Sequence, residues 1–323
     1  FLCRLWSLVM LRTKSLIIIM SILHKTLFKI RSIKSIGDIV SICKTFFFGH
    51  IFKKRIEWNI AYIRENWKSN FKKNKIIKIS NPKNRWFADP FVVKQKKNHY
   101  IFCEDYSLKN KKGSISCIKI DGKNKIKYYR DIIKENFHLS FPFIFKYNKN
   151  YFMIPEANES HSICLYKCTK FPDKWRFYKK IMTNIDCVDP VIFKWKNNWV
   201  LAASKTNNEF LYNKLCIYTS KNPLSSNWNP LNSNPVIDSS IFGRNAGLIQ
   251  ESKNKIYRIS QAYLPGKYGA FISVNKILNI SKSNYDEREI IMKNSFSDKS
   301  IKGIHTLNYI KNFTVFDYSK WVK

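Results

Sequence analysis

Acidic residues are scarce in this chain, 22 Asp and Glu among 323 residues against 58 Lys and Arg, yet four of them fall at recurring places. Asp89 and Asp189 each stand before a proline at the head of an apolar run, in FADPFVV and VDPVIF. Glu104 and Glu156 close the apolar runs YIFCED and YFMIPEA. Carboxyl groups that converge on one pocket suit glycosyl chemistry: one activates or stabilises at the anomeric carbon, and another handles the leaving or attacking oxygen. Their proximity raises one pKa above the other, so acid and base roles coexist near neutral pH. An Asp-Pro pair also has a purely structural use, because Asp bonds its own backbone and Pro fixes φ at a strand entry. Two such pairs at equivalent places, with two Glu in register, favour chemistry.

The equivalence comes from a repeat. Past residue 55 the sequence becomes a series of short β-forming runs broken by Asn, Lys, Gly and Pro. Five segments line up: ADPFVVKQKKNHYIFCED, SFPFIFKYNKNYFMIPEA, VDPVIFKWKNNWVLAAS, RNAGLIQESKNKIYRISQ and IHTLNYIKNFTVFDY. Each is an apolar strand, a polar Lys/Asn turn and a second apolar strand. Pro90, Pro142, Pro190, Ala246 and Thr306 are equivalent and roughly fifty residues apart, the length of a four-stranded propeller blade. The spacing predicts an all-β fold over residues 55–323, a five-bladed β-propeller. The runs SISCIKI, SICLYKC and KLCIYTS then supply third strands of the first three blades. The fifth unit ends too soon to complete a blade, so strands from the N-terminal side, EWNIAYI (57–63) and KIIKIS (75–80), are expected to close it and hide its edge.

In a propeller the innermost strands surround a central channel, and their first residues gather at one mouth. Those positions read Asp89, Phe141, Asp189, Asn245 and His305; the second strands end in Glu104, Glu156, Ser204, Ser260 or Gln261, and Asp317.

Residues 1–54 read as a basic, partly helical N-terminal extension. Its apolar stretch from Leu16 to Leu23 is far shorter than the roughly 18 residues a bilayer span needs, and Arg and Lys flank it. That pattern suits an interfacial helix on an anionic membrane as well as an ordinary packing helix. The net charge of +36 favours anionic partners, but no zinc finger, RNP-like or Gly-rich phosphate motif supports nucleic acid. The eight cysteines show no metal spacing and suit reduced core positions. No cofactor or metal is expected, and without a secretory signal the expected location is cytoplasmic, with peripheral contact at the inner membrane face.

In order, FADPFVV, FHLSFPFIF, YFMIPEA, LYKCTKFPDKW, VDPVIF and GRNAGLI resemble the N-terminal propeller-like domain of glucosamine inositolphosphorylceramide transferases and their bacterial relatives, over roughly residues 55–318. More distantly the chain resembles the five-bladed glycoside hydrolase families 43, 32 and 68. The resemblance implies a glycosyltransferase of surface-polysaccharide or glycolipid assembly, with a sugar or nucleotide sugar and a glycan or glycolipid acceptor as partners. A glycoside hydrolase or a non-catalytic glycan-binding propeller is the alternative. It implies that Asp89 matches the first-blade Asp and Asp189 a third-blade Asp that orients the sugar in the hydrolases. Glu156 is then the candidate general acid or base, and Glu104 the second. No Glu aligns with the hydrolases' acid, and the second blade opens on Phe141 where an Asp would be expected.

Further residues complete the candidate site. His138 and His305 are placed to donate to sugar hydroxyls or a phosphate. Arg244 either forks onto a donor phosphate or pairs with a channel carboxylate. Trp86, Trp195 and Tyr268 are candidate platforms for pyranose faces, though aromatics at such spacing also serve as core.

Overall fold

The computed structural model describes residues 55–206, 213–252, 255–264, 267–293 and 298–322. The basic extension assigned to residues 1–54, with its membrane contact, lies outside the described residues. Ile56–Tyr263 and Tyr268–Val322 form one compact unit; Arg55, Leu264 and Lys267 group separately, Leu264 and Lys267 forming an isolated bridge.

Five antiparallel sheets build the first unit, as the repeat predicts. Blade one is β3 (Arg85–Gln95), β4 (Asn98–Ser107), β5 (Lys112–Ile120) and β6 (Ile126–Ile133), in that order. Blade two is β7 (Ser140–Tyr147), β8 (Asn150–Glu156), β9 (Ser162–Lys170) and β10 (Lys174–Thr183). Blade three is β11 (Val188–Trp195), β12 (Asn198–Thr206) and β13 (Asn213–Ser220), whose outer edge is shared by β14 (Asn229–Pro230) and β15 (Ile237–Asp238). Blade four is β16 (Arg244–Ser252), β17 (Lys255–Gln261), β18 (Ile272–Ile280) and β19 (Tyr285–Lys293). Blade five joins the two ends of the repeat: β20 (Leu307–Ile310) and β21 (Phe313–Val322) are completed by β1 (Arg55–Ile63) and β2 (Ile77–Lys78). Strands β3, β7, β11, β16 and β20 touch one another in a closed ring and are the innermost layer.

The hairpins follow from their turn chemistry. Asn148-Lys149 and Lys311-Asn312 link their strands with both residues at positive φ, the two-residue turn whose twist matches that of the flanking strands. Between blades the space is filled by alternate strand residues; Phe91, Phe141, Phe143, Val191 and Phe193 share one cluster. Each such side chain contributes about 1.5–3 kcal/mol on full burial. Of the six described cysteines, all but Cys168 are buried, and none is bonded to another.

A feature that alternation alone does not show recurs at the heads of the innermost strands of blades one to three. In blade one Ala88 pairs with Glu104 and Phe91 with Phe102, leaving Asp89 and Pro90 opposite a single residue. The same two-against-one bulge holds Phe141-Pro142 and Asp189-Pro190. Asp89, Phe141 and Asp189 have φ of 50, 44 and 53°, the left-handed region that costs a non-glycine residue about 1–2 kcal/mol. A bulge re-aims a side chain. Proline is tolerated as its second residue because the ladder is already broken there and no N–H is needed.

Candidate functional site

A chain of hydrogen bonds crosses the blade junctions at the heads of the inner strands. Asp89 N–H donates to Asp317 Oδ2 (3.0 Å), Phe141 N–H to Asp89 Oδ2 (3.3 Å), Asp189 N–H to Glu156 Oε2 (3.4 Å) and Asn245 N–H to Ser204 Oγ (3.0 Å). Four of the five blade junctions are thus sealed by an inner-strand amide and an acceptor from the preceding blade. The acceptors are residues aligned by the repeat. The carboxylates therefore have a structural duty as well as any chemical one.

Around Asp89 the cluster is dense. Thr306 Oγ1 donates to its Oδ1 at 2.6 Å, and His305 Nε2 lies 3.7 Å from the same oxygen. His305 Nδ1 lies 2.5 Å from Asp317 Oδ2, while Asp317 Oδ1 accepts the N–H groups of His305 and Thr306. Burial raises the pKa of Asp89 to about 6, with His305 pulling it down and Asp317 and Asp189 pushing it up. Burial would depress His305, but the Asp317 and Asp89 carboxylates outweigh it, so its pKa is raised. Among the described residues, Asp89, His305 and Asp317 also form a group able to offer ligand atoms to a cation, all within 4.8 Å of one another. Their oxygens are nonetheless engaged by four N–H donors and one hydroxyl.

Asp189 sits in a second group. Arg244 Nε donates to its Oδ2 at 2.6 Å and Gln261 Nε2 to the same oxygen at 3.3 Å. Of the two roles open to Arg244 in the sequence, the structure shows the carboxylate pair, with the guanidinium also over the Tyr268 ring at 5.3 Å. Glu156 adjoins this group and is only partly buried. Desolvation first, then Asp189, drives its pKa well above the ordinary range, against a lowering by Arg244. Glu104 is buried, and desolvation with Asp89, Glu156 and Asp317 nearby also raises its pKa well above that range.

His138 is fixed by its backbone partner. Gly113 N–H donates to His138 Nδ1 at 3.1 Å, so the other ring nitrogen, Nε2, carries the proton and faces Glu104 Oε1 at 3.4 Å. Burial lowers the pKa of His138. Trp86 stacks on Tyr106 at 4.5 Å, and Tyr106 in turn lies against His138.

Sequence reasoning gave no place to Trp58, and it named Thr306 and Gln261 only as aligned positions of the repeat, without a role at the site. Trp58 stacks on His305 at 3.8 Å, and Tyr268 meets both rings edge-on. Trp58 comes from β1, which belongs to no hairpin of the repeat, so alignment of repeats had no signal for it. Gly269 makes this contact possible: a Cβ there would lie 2.7 Å from the Trp58 ring. Trp195 is the one aromatic candidate that the structure removes from the mouth. Asp189 and Trp195 lie at opposite ends of β11, about 20 Å apart at the strand rise per residue.

Comparison with known proteins accords with this architecture. Residues 72–319 match the family model described as glucosamine inositolphosphorylceramide transferase 1, N-terminal. The chain belongs to this family. Proteins named glucosamine inositolphosphorylceramide transferase 1 from Arabidopsis thaliana and Oryza sativa subsp. japonica are 34% identical over 210 residues and 29% over 205, covering 64% and 62% of this chain. The chain spans about a quarter of the length of these relatives, 27% in each case. Among solved structures, Zg3597, a family 117 glycoside hydrolase from Zobellia galactanivorans, superposes with a TM-score of 0.52 at 12% identity, covering 82% of this chain and 91% of that one. The catalytic domain of a Coprinopsis cinerea family 62 α-L-arabinofuranosidase gives 0.52 at 11%, covering 81% and 97%. These likenesses establish a shared propeller fold.

Proposed function

We infer that this propeller is a sugar-transfer unit of glycan or glycolipid assembly, acting at the channel mouth on an activated sugar such as a nucleotide sugar. The observation that carries the reading is the separation of protonation tendencies within one cluster: Asp89 titrates at about 6, while Glu156 and Glu104 are held well above the ordinary carboxyl range. Environments that push neighbouring carboxyls apart assign acid and base. Above about pH 6 Asp89 is ionised and takes the proton of the acceptor hydroxyl as its oxygen bonds to the anomeric carbon. The bond from that carbon to the leaving oxygen breaks, and the proton held by Glu156 goes to that oxygen. Partial exposure favours Glu156 over Glu104 for this role, since Glu104 lies behind His138. Asp189, aligned by Arg244 and Gln261, orients sugar hydroxyls, and Tyr268 at the rim, 38% exposed, offers a ring face.

The names of the relatives support transfer over hydrolysis, and the pairing of Asp189 with Arg244 is compatible with either. Incubation with a panel of nucleotide sugars and, separately, aryl glycosides distinguishes the two. Nucleotide release that depends on acceptor and is lost in Asp89→Asn supports transfer. Turnover of aryl glycosides alone refutes it, and ligand binding without turnover of either makes the propeller a glycan-binding module.

A further inference from the structure

The end of blade three remote from the carboxylates carries a cleft that the mouth chemistry does not use. It encloses about 680 Å³ between β12–β14 and the end of β18. Trp195, the aromatic that the structure removes from the mouth, lines it, and its indole N–H is closed to solvent and has no acceptor. An orphaned buried donor costs about 1–3 kcal/mol. Lys221 and Lys282 stand on the rim, and neither ammonium has a carboxylate within 4 Å among the described residues. The amides of Asn198, Asn229 and Asn232 also line the cleft, and no carboxylate does.

We propose that this cleft between blades three and four is a second binding site, taking a saccharide that carries a negative charge, as a uronate or a sugar phosphate. The chemistry of the lining selects that class. An indole offers a platform for a pyranose face and, after a small rotation, an N–H for a ring or hydroxyl oxygen. Side-chain amides pair with hydroxyls as both donors and acceptors. Two unpaired ammonium groups facing a lining without acids favour an anion and disfavour a cation. A neutral glycan would leave both lysines unused, and an apolar ligand would strand the amides. The site is independent of the proposed transfer reaction. It lies about 20 Å along β11 from Asp189, so it would hold a charged chain away from the reacting end.

The test titrates the whole chain with a uronate-containing tetrasaccharide, a hexose 6-phosphate and a neutral maltotetraose, following tryptophan fluorescence and calorimetric heat. Saturable binding of either charged probe is expected, at least tenfold tighter than the neutral one. The arm that saturates identifies carboxylate or phosphate as the charge read. Lys221→Ala with Lys282→Ala should weaken it tenfold or more without moving the melting temperature, and Trp195→Phe, which keeps a ring and removes the N–H, several-fold. Asp89→Asn should leave it unchanged, which separates this site from the mouth. Equal affinity for the neutral probe, no saturation at millimolar concentration, or binding that survives the double lysine variant would each overturn the proposal.

Discussion

At the level of single residues, Asp89 is held in the left-handed region, which Asp tolerates better than most L-residues but still at a cost. A left-handed φ costs an L-residue about 1–2 kcal/mol, and burial of an ionisable carboxyl adds to that. Thr306 Oγ–H, the Phe141 amide and the His305 ring together offset the cost. The sign of the pH effect on stability follows from the raised pKa. The folded state binds the Asp89 proton more tightly than the unfolded chain, so this carboxyl favours folding as pH falls from about 6 toward the ordinary Asp range and disfavours it above about 6. Thermal melts of wild type and Asp89→Asn between pH 5 and 8 should therefore shift in favour of the variant as pH rises, by about 1.5 kcal/mol, nearly all of it below about pH 6.5. A difference independent of pH would show that Asp89 titrates normally. The sequence showed that an ionisable residue stood in a special place, since Asp-Pro recurred in register. It did not show the bulge, because residue types at alternating positions carry no record of φ.

Among the elements, the hairpins were legible and their closure was too. Period-two runs around Lys/Asn turns identify β3–β4 or β7–β8 without further help, and the truncated fifth unit required an outside strand, which β1 and β2 supply. Deletion of residues 55–82 should abolish cooperative unfolding, measured by circular dichroism on heating; a truncated chain that still melts sharply would contradict the closure. The fourth blade departs from the Pro pattern, with Ala246 as the extra residue of its bulge and Gly247 following at φ 131°. A Cβ on Gly247 would lie 2.2 Å from the Leu307 carbonyl oxygen, across the junction with blade five. Gly247→Ala should cost about 2 kcal/mol or more in urea unfolding, and an unchanged midpoint would mean that the junction yields freely. Less legible was Trp58, which reaches the mouth from β1, outside the repeat; Tyr268, in the segment between β17 and β18, was named as a candidate ring. Trp195 was misplaced for the opposite reason. It lies inside a repeat unit, but at the far end of its strand.

For the molecule as a whole, the innermost strands form a closed ring, and that closure brings residues from blades one, two, three and five into one cluster. Asp317 shows what this scale adds. Its place in register was evident from the repeat, yet only the closed ring makes it the acceptor for Asp89 N–H, while its contact with His305 lies within blade five. The proposed transfer depends on Asp89 as the base, and its pH dependence is the most direct test. The rate of sugar transfer at limiting donor concentration should rise with pH through an apparent pKa of about 6 in the wild type, and fall by about 10²–10⁴-fold in Asp89→Asn. A pH profile that is flat from 5 to 8, or an Asp89→Asn variant that retains the wild-type rate, would contradict the account.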